Sequence, residues 1–100
     1  MKGLYLTFID IAKRDGYDQK ILGQIKGFSN LGVEMALICY NNDRVVVRIY
    51  SAGGDQCTEK TLNVIGKNLL FKRISLLRNA LRFIKQFPVD FLYLRYPRSD

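Results

Sequence analysis

Four short runs of apolar, β-branched and aromatic residues, at 4–9, 33–40, 45–50 and 91–96, are interleaved with two segments whose apolar residues recur at helical spacing. This alternation is the strongest constraint on the chain. Near-continuous apolar runs suit strands covered on both faces, and helical stripes between them supply the cover. The expected fold class is α/β, a three-layer arrangement with a mostly parallel sheet of about four strands and one long helix on each face. Hydrophobic residues make up 48% and charged residues 25% of the 100 positions, so the chain carries enough apolar surface for one core.

The first helix is expected over 19–30. Asp18 stands where an N-cap belongs, Ile21, Leu22, Ile25, Phe28 and Leu31 mark its buried face, and Gly32 supplies a left-handed stop. Asn41, Asn42 and Asp43 form a turn between the second and third runs, which predicts a hairpin and an antiparallel third strand. Residues 51–58, with Gly53 and Gly54, read as a loop, and 59–67 show no period and stay unassigned. A second helix is expected over 69–87, its stripe Leu70, Ile74, Leu77, Leu81 and Ile84 facing the sheet until Pro88 ends it. Right-handed crossovers then give the strand order 3-2-1-4.

In such a sheet ligands bind beyond the carboxyl ends of the strands, where connections leave toward opposite faces. That crevice is expected between residues 10–18 and 95–100. Lys13, Arg14 and Lys20 surround a helix N-terminus with free N–H groups, which attracts anions such as phosphate. Arg95 closes the last strand beside Tyr96 and needs an anionic partner, either Asp10, Asp15 or a ligand.

Charge is unevenly distributed. Residues 1–59 carry seven basic and seven acidic side chains, whereas 60–100 carry nine and two. Between Thr61 and Val89 there is no acidic residue. Lys72, Arg78, Arg82 and Lys85 form a basic helix face suited either to water or to an anionic membrane surface.

Several chemistries are excluded. Histidine is absent, which removes Ser/His and Cys/His relays and imidazole metal sites. Asp10, Asp15 and Asp18 lack calcium-loop spacing, so no metal and no cofactor are expected. Cys39 reads as core and Cys57 as a thiol in a polar connection, both reduced. No apolar run reaches the roughly 20 residues of a bilayer span, and the N-terminus lacks a signal cleavage site, so a cytoplasmic location is expected.

The segment from Asp15-Gly16-Tyr17-Asp18-Gln19-Lys20-Ile21 through Gln24, Ile25 and Phe28 to Leu31-Gly32-Val33-Glu34 resembles the start of GT-B glycosyltransferases. The closing Asp90-Phe91-Leu92-Tyr93-Leu94-Arg95-Tyr96-Pro97 is similar to a mid-domain strand of bacterial polysaccharide-type members. The resemblance implies a Rossmann-like, acceptor-side N-terminal domain spanning 1–100, cut off from its donor domain and inactive alone. It also implies transfer from a nucleotide sugar to a glycan or lipid-linked acceptor. Gly16 and Tyr17 would then approach the sugar diphosphate, Lys20 would occupy a basic position near the helix start, and Arg95 and Tyr96 would line the acceptor side. The basic helix would serve peripheral contact with the inner membrane face. The alternative is a stand-alone basic module for nucleic acid or another anionic surface, with nucleic acid ranked lower. An unpaired sheet edge further suggests a homodimer.

Overall fold

The computed structural model describes residues 1–13, 16–42, 44–53, 57–64 and 69–95. In chain order these form β1 (Lys2–Asp10), a 3-10 turn (Ile11–Lys13), α1 (Tyr17–Asn30), β2 (Glu34–Tyr40), β3 (Arg44–Tyr50), β4 (Cys57–Val64), α2 (Leu69–Gln86) and β5 (Phe91–Arg95). The α/β class stands. The sheet has five strands in the order β4-β3-β2-β1-β5 and is mixed. β1 runs parallel to β2 and β5, while β2–β3 and β3–β4 are antiparallel.

The sheet order therefore differs from the expected four-strand one. The unassigned stretch, together with the end of the expected loop, supplies β4 outside β3. Its sequence Cys-Thr-Glu-Lys-Thr-Leu-Asn-Val shows little apolar alternation because an edge strand is held by one ladder and leaves most side chains in water. Pairing with β3, not periodicity, makes it a strand.

β1 and β2 occupy the middle, and their apolar runs are explained by cover on both sides. Leu4, Leu6, Ala36, Ile38, Tyr40, Val45 and Val47 pack on one face with Leu76 and Ala80 of α2. Tyr5, Ile9, Met35, Leu37, Cys39 and Val46 pack on the other with Ile21 and Ile25 of α1. Each fully buried aliphatic side chain contributes on the order of 1.5–3 kcal/mol.

The start of α1 differs from expectation. Gly16, at φ 96°, holds the N-cap position without a side-chain cap bond, and Asp18 falls inside the first turn. The other end follows the glycine rule closely. Gly32, at φ 86°, donates to the Ser29 carbonyl at 3.0 Å and Val33 donates to that of Phe28 at 3.1 Å, the paired bonds of a Schellman stop. Leu31, expected on the buried face, is 82% exposed because it has already left the helix. Ser29 then ties the helix to the loop after β3: its hydroxyl donates to the Ser51 carbonyl at 2.6 Å, and its own carbonyl accepts from the Gly53 N–H at 2.9 Å.

α2 is turned about its axis relative to expectation. Leu76 and Ala80 are buried, with Phe83, Ile84 and Phe87 packed beside them, whereas Ile74, Leu77 and Leu81 of the expected stripe are exposed. The helix carries two adjacent apolar stripes, and the one with small Ala80 and the stacked Phe83–Phe87 pair, centroids 5.0 Å apart, faces the strands. Fit to the sheet decided between them.

Gly3 reports how tightly β1 is enclosed. A methyl group there would lie 2.8 Å from the Met35 sulfur and overlap the Phe91 ring. Gly3→Ala is expected to destabilise the fold by about 1–3 kcal/mol through overpacking, read as a lower urea midpoint with unchanged slope.

Candidate functional site

The parallel pairing of β1 with β5 brings Asp10 and Arg95, where the two expected ligand segments begin, to the same end of neighbouring strands. Thr7 lies opposite Arg95, so β5 ends three residues before β1 does. The chain leaves β1 at Asp10, passes through the 3-10 turn ending at Lys13, and enters α1 after Gly16. Tyr17 opens the helix. Gly16 and Lys20 are exposed, and the Lys20 N–H reaches the Gly16 carbonyl at 3.4 Å. Arg14, Asp15 and Tyr96 lie outside the described residues.

Asp10 fixes this edge. Its Oδ1 accepts the Ala12 N–H at 2.9 Å and the Asn42 N–H at 3.0 Å, joining the end of β1 to the β2–β3 turn. Asn42 needs that support, because it takes the left-handed conformation at φ 53°. This carboxylate therefore has a structural role. Asp10→Ala is expected to cost about 1–3 kcal/mol, since bonds to a charged acceptor are the stronger kind; the amide signals of Ala12 and Asn42 should shift most.

Two buried hydroxyls near the carboxyl edge escaped the sequence reading. Thr7 Oγ1 on the α1 side and Tyr40 Oη on the α2 side make no hydrogen bond among the described residues. Burial pushes the Tyr40 phenol up to about 12, against the opposing charge of Arg73. Both residues sit inside apolar runs, where sequence offers no sign that a polar atom is left over.

The basic group of α2 lies on another surface. Arg78, Arg82 and Lys85 are exposed on the helix that covers the sheet face opposite α1, and Lys72 belongs to the first turns of the same helix. The expected site residues that are described thus divide between the carboxyl edge and α2. No described helix is long and apolar enough to cross a membrane. No group of three or more His, Cys, Asp or Glu side chains gathers for a metal among the described residues.

The thiols differ sharply. Cys39 is fully enclosed in β2, and burial pushes it up to about 12, reinforced by Glu59 and Asp10 and opposed by Arg48. Cys57 is exposed at the start of β4, with its sulfur 3.9 Å from the Thr58 carbonyl oxygen. Both are free. A thiol held this high is protonated throughout the neutral and mildly alkaline range and is a poor nucleophile. In the native protein, iodoacetamide at pH 8 should modify Cys57 alone; modification of Cys39 should require denaturant.

The edge order, the mixed sheet and its two helical covers can be set against known structures. The arrangement is similar to that of C11 cysteine proteases. An inactive zymogen C11 protease from Parabacteroides distasonis matches 97% of this chain and 30% of its own length, with a TM-score of 0.57 and 15% identity. A clostripain from Bacteroides thetaiotaomicron, solved with a peptide inhibitor, matches 99% of this chain and 90% of its own, at TM-score 0.56 and 12% identity. A B. fragilis cysteine protease gives 99% and 88%, at TM-score 0.52 and 11% identity. This chain therefore spans less than a third of the zymogen. No family model and no curated protein matches the sequence. At these identities the likeness establishes the fold alone.

That likeness overturns the glycosyltransferase reading. A strand, a polar turn and a helix followed by a glycine stop occur wherever a parallel pair is built, so the opening segment was too general to mark a GT-B domain. The nucleotide sugar, the glycan or lipid-linked acceptor, the missing donor domain and the inner-membrane role are withdrawn with it. The stand-alone basic module for nucleic acid or an anionic surface, and the homodimer expected from an unpaired sheet edge, likewise find no support in these neighbours.

Proposed function

We propose that this chain is a clostripain-like α/β scaffold that supplies sheet and helices without supplying peptidase chemistry. One observation carries the reading: a fold similar to cysteine proteases over 97–99% of the chain coexists with a sequence that has no histidine. A cysteine nucleophile is activated by an adjacent base or by a depressed pKa. Cys39 is shifted the opposite way and enclosed, and Cys57 stands on the β4 edge, three strands away from β1 in the sheet order. Neither thiol has an imidazole to deprotonate it.

In this reading any ligand meets the carboxyl edge of the sheet, the usual place in open α/β sheets. Lys13, Arg14, Asp15, Gly16, Tyr17, Lys20, Arg95 and Tyr96 are the residues we assign to that rim, where a helix N-terminus and several cations suit an anionic group.

The reading is tested with a biotinylated acyloxymethyl ketone peptide, the chemistry of the inhibitor bound to the B. thetaiotaomicron clostripain. The chain should stay unlabelled and should not cleave fluorogenic peptides. Stoichiometric labelling abolished by Cys57→Ser would overturn the proposal.

A further inference from the structure

A groove runs between α2 and the outer strands β3 and β4. Val47 and Ile49 of β3, Leu62 of β4 and Phe83 of α2 form its apolar floor, and it holds about 310 Å³. Ile49 pairs with Ala36 near the start of β2, which sets the groove toward the amino ends of the parallel strands and away from the carboxyl rim. Its lining belongs to described residues throughout.

Strand register decides which polar groups face it. Thr58 is paired with Ile49 and Lys60 with Val47, so both side chains share the α2 face with the floor. Glu59, between them, belongs to the other face, where its Oε1 accepts from Arg48 Nε at 2.6 Å and from Asn41 Nδ2 at 3.3 Å. Its carboxylate is taken up there. Lys60 is exposed and forms no ion pair among the described residues. Gln86 lines the helix side, and Arg82, four residues earlier and also exposed, stands beside it at helical spacing. No acidic residue occurs between Thr61 and Val89, so α2 brings no carboxylate to the groove.

Length and charge together select the ligand. From Thr58 to Leu62 the strand spans about 13 Å at the usual rise per residue. A zigzag hydrocarbon advances about 1.25 Å per carbon–carbon bond, so roughly eight to ten carbons with a small head group match that length. An apolar floor with a few polar groups at one end is the common form of a small-molecule site.

We propose that this groove binds a linear medium-chain carboxylate, the anion of a fatty acid of about eight to ten carbons. The hydrocarbon lies on Val47, Ile49, Phe83 and Leu62, while the carboxylate pairs with the Lys60 ammonium and accepts hydrogen bonds from the Thr58 hydroxyl and the Gln86 amide. The site shares no residue with the rim at the carboxyl edge. The inference therefore goes beyond the scaffold reading and does not depend on it.

The test is calorimetric titration of the full chain with hexanoate, octanoate and decanoate, each below its micelle-forming concentration. One-to-one binding is expected, tightening roughly twofold to fourfold for each added CH2. Amide shifts in NMR spectra should centre on Val47, Ile49, Leu62 and Phe83. Lys60→Glu should weaken decanoate binding by about fivefold and turn the preference toward decylamine, with far-UV circular dichroism unchanged. Gln86→Glu, at the exposed end of α2, should act in the same direction and keeps the test decisive if the strand variant unfolds. Absence of saturable binding at every chain length, equal affinity of the unaltered chain for decylamine, or unchanged affinity in both folded variants would overturn the proposal. So would amide shifts centred on Gly16 and Lys20 instead of the groove.

Discussion

The structure depends on β1 being held between β2 and β5 and buried on both faces. Its alternate residues, Leu4 and Leu6 against Tyr5 and Ile9, enter two separate cores, so a single strand joins both helical layers to the sheet. The two parallel pairings also align the strand ends. Asp10, Tyr40 and Arg95 therefore come to one edge although they are far apart in sequence. Parallel neighbours cannot be joined by a tight turn, so α1 is the crossover from β1 to β2 and α2 lies in the path from β4 to β5.

A second constraint follows from the length of the crossover into β5. The chain travels from β4 at one side of the sheet to β5 at the other, and α2 packs against β4, β3, β2 and β1 on the way. The apolar surface of the helix is wider than the face it buries: Leu76 and Ala80 are enclosed, while Ile74, Leu77 and Leu81 stay exposed. The residues of β5 were legible as a strand, but their alternation gave no sign that, among the described strands, β5 would pair with β1 alone.

Likeness to cysteine proteases does not carry their chemistry into this chain. Fold similarity at 11–15% identity speaks to the arrangement of strands and helices, while activity resides in particular side chains on it. Here the lack of an imidazole and the high position of the Cys39 thiol bear directly on chemistry. Gly16 and Arg95 were legible as strand-end features, one in the connection after β1 and the other closing the parallel β5. Their resemblance to a sugar-transfer domain rested on turn and strand grammar common to many α/β proteins, which explains why it pointed to the wrong family.

From sequence alone came whatever depends on local periodicity and backbone chemistry. The two helices, four of the strands, the Asn41–Asn42 turn, the stop at Gly32 and the buried character of Cys39 all follow from spacing or allowed dihedrals. Tertiary structure decided what depends on partners distant in the chain: β4 as a strand, the stripe of α2 that meets the sheet, the structural task of Asp10, and the hydroxyls of Thr7 and Tyr40 left unbonded among the described residues. Periodicity reports which residues one face can present, whereas a shared ladder, a chosen stripe or an unpaired edge exists only once another element has taken its place beside it.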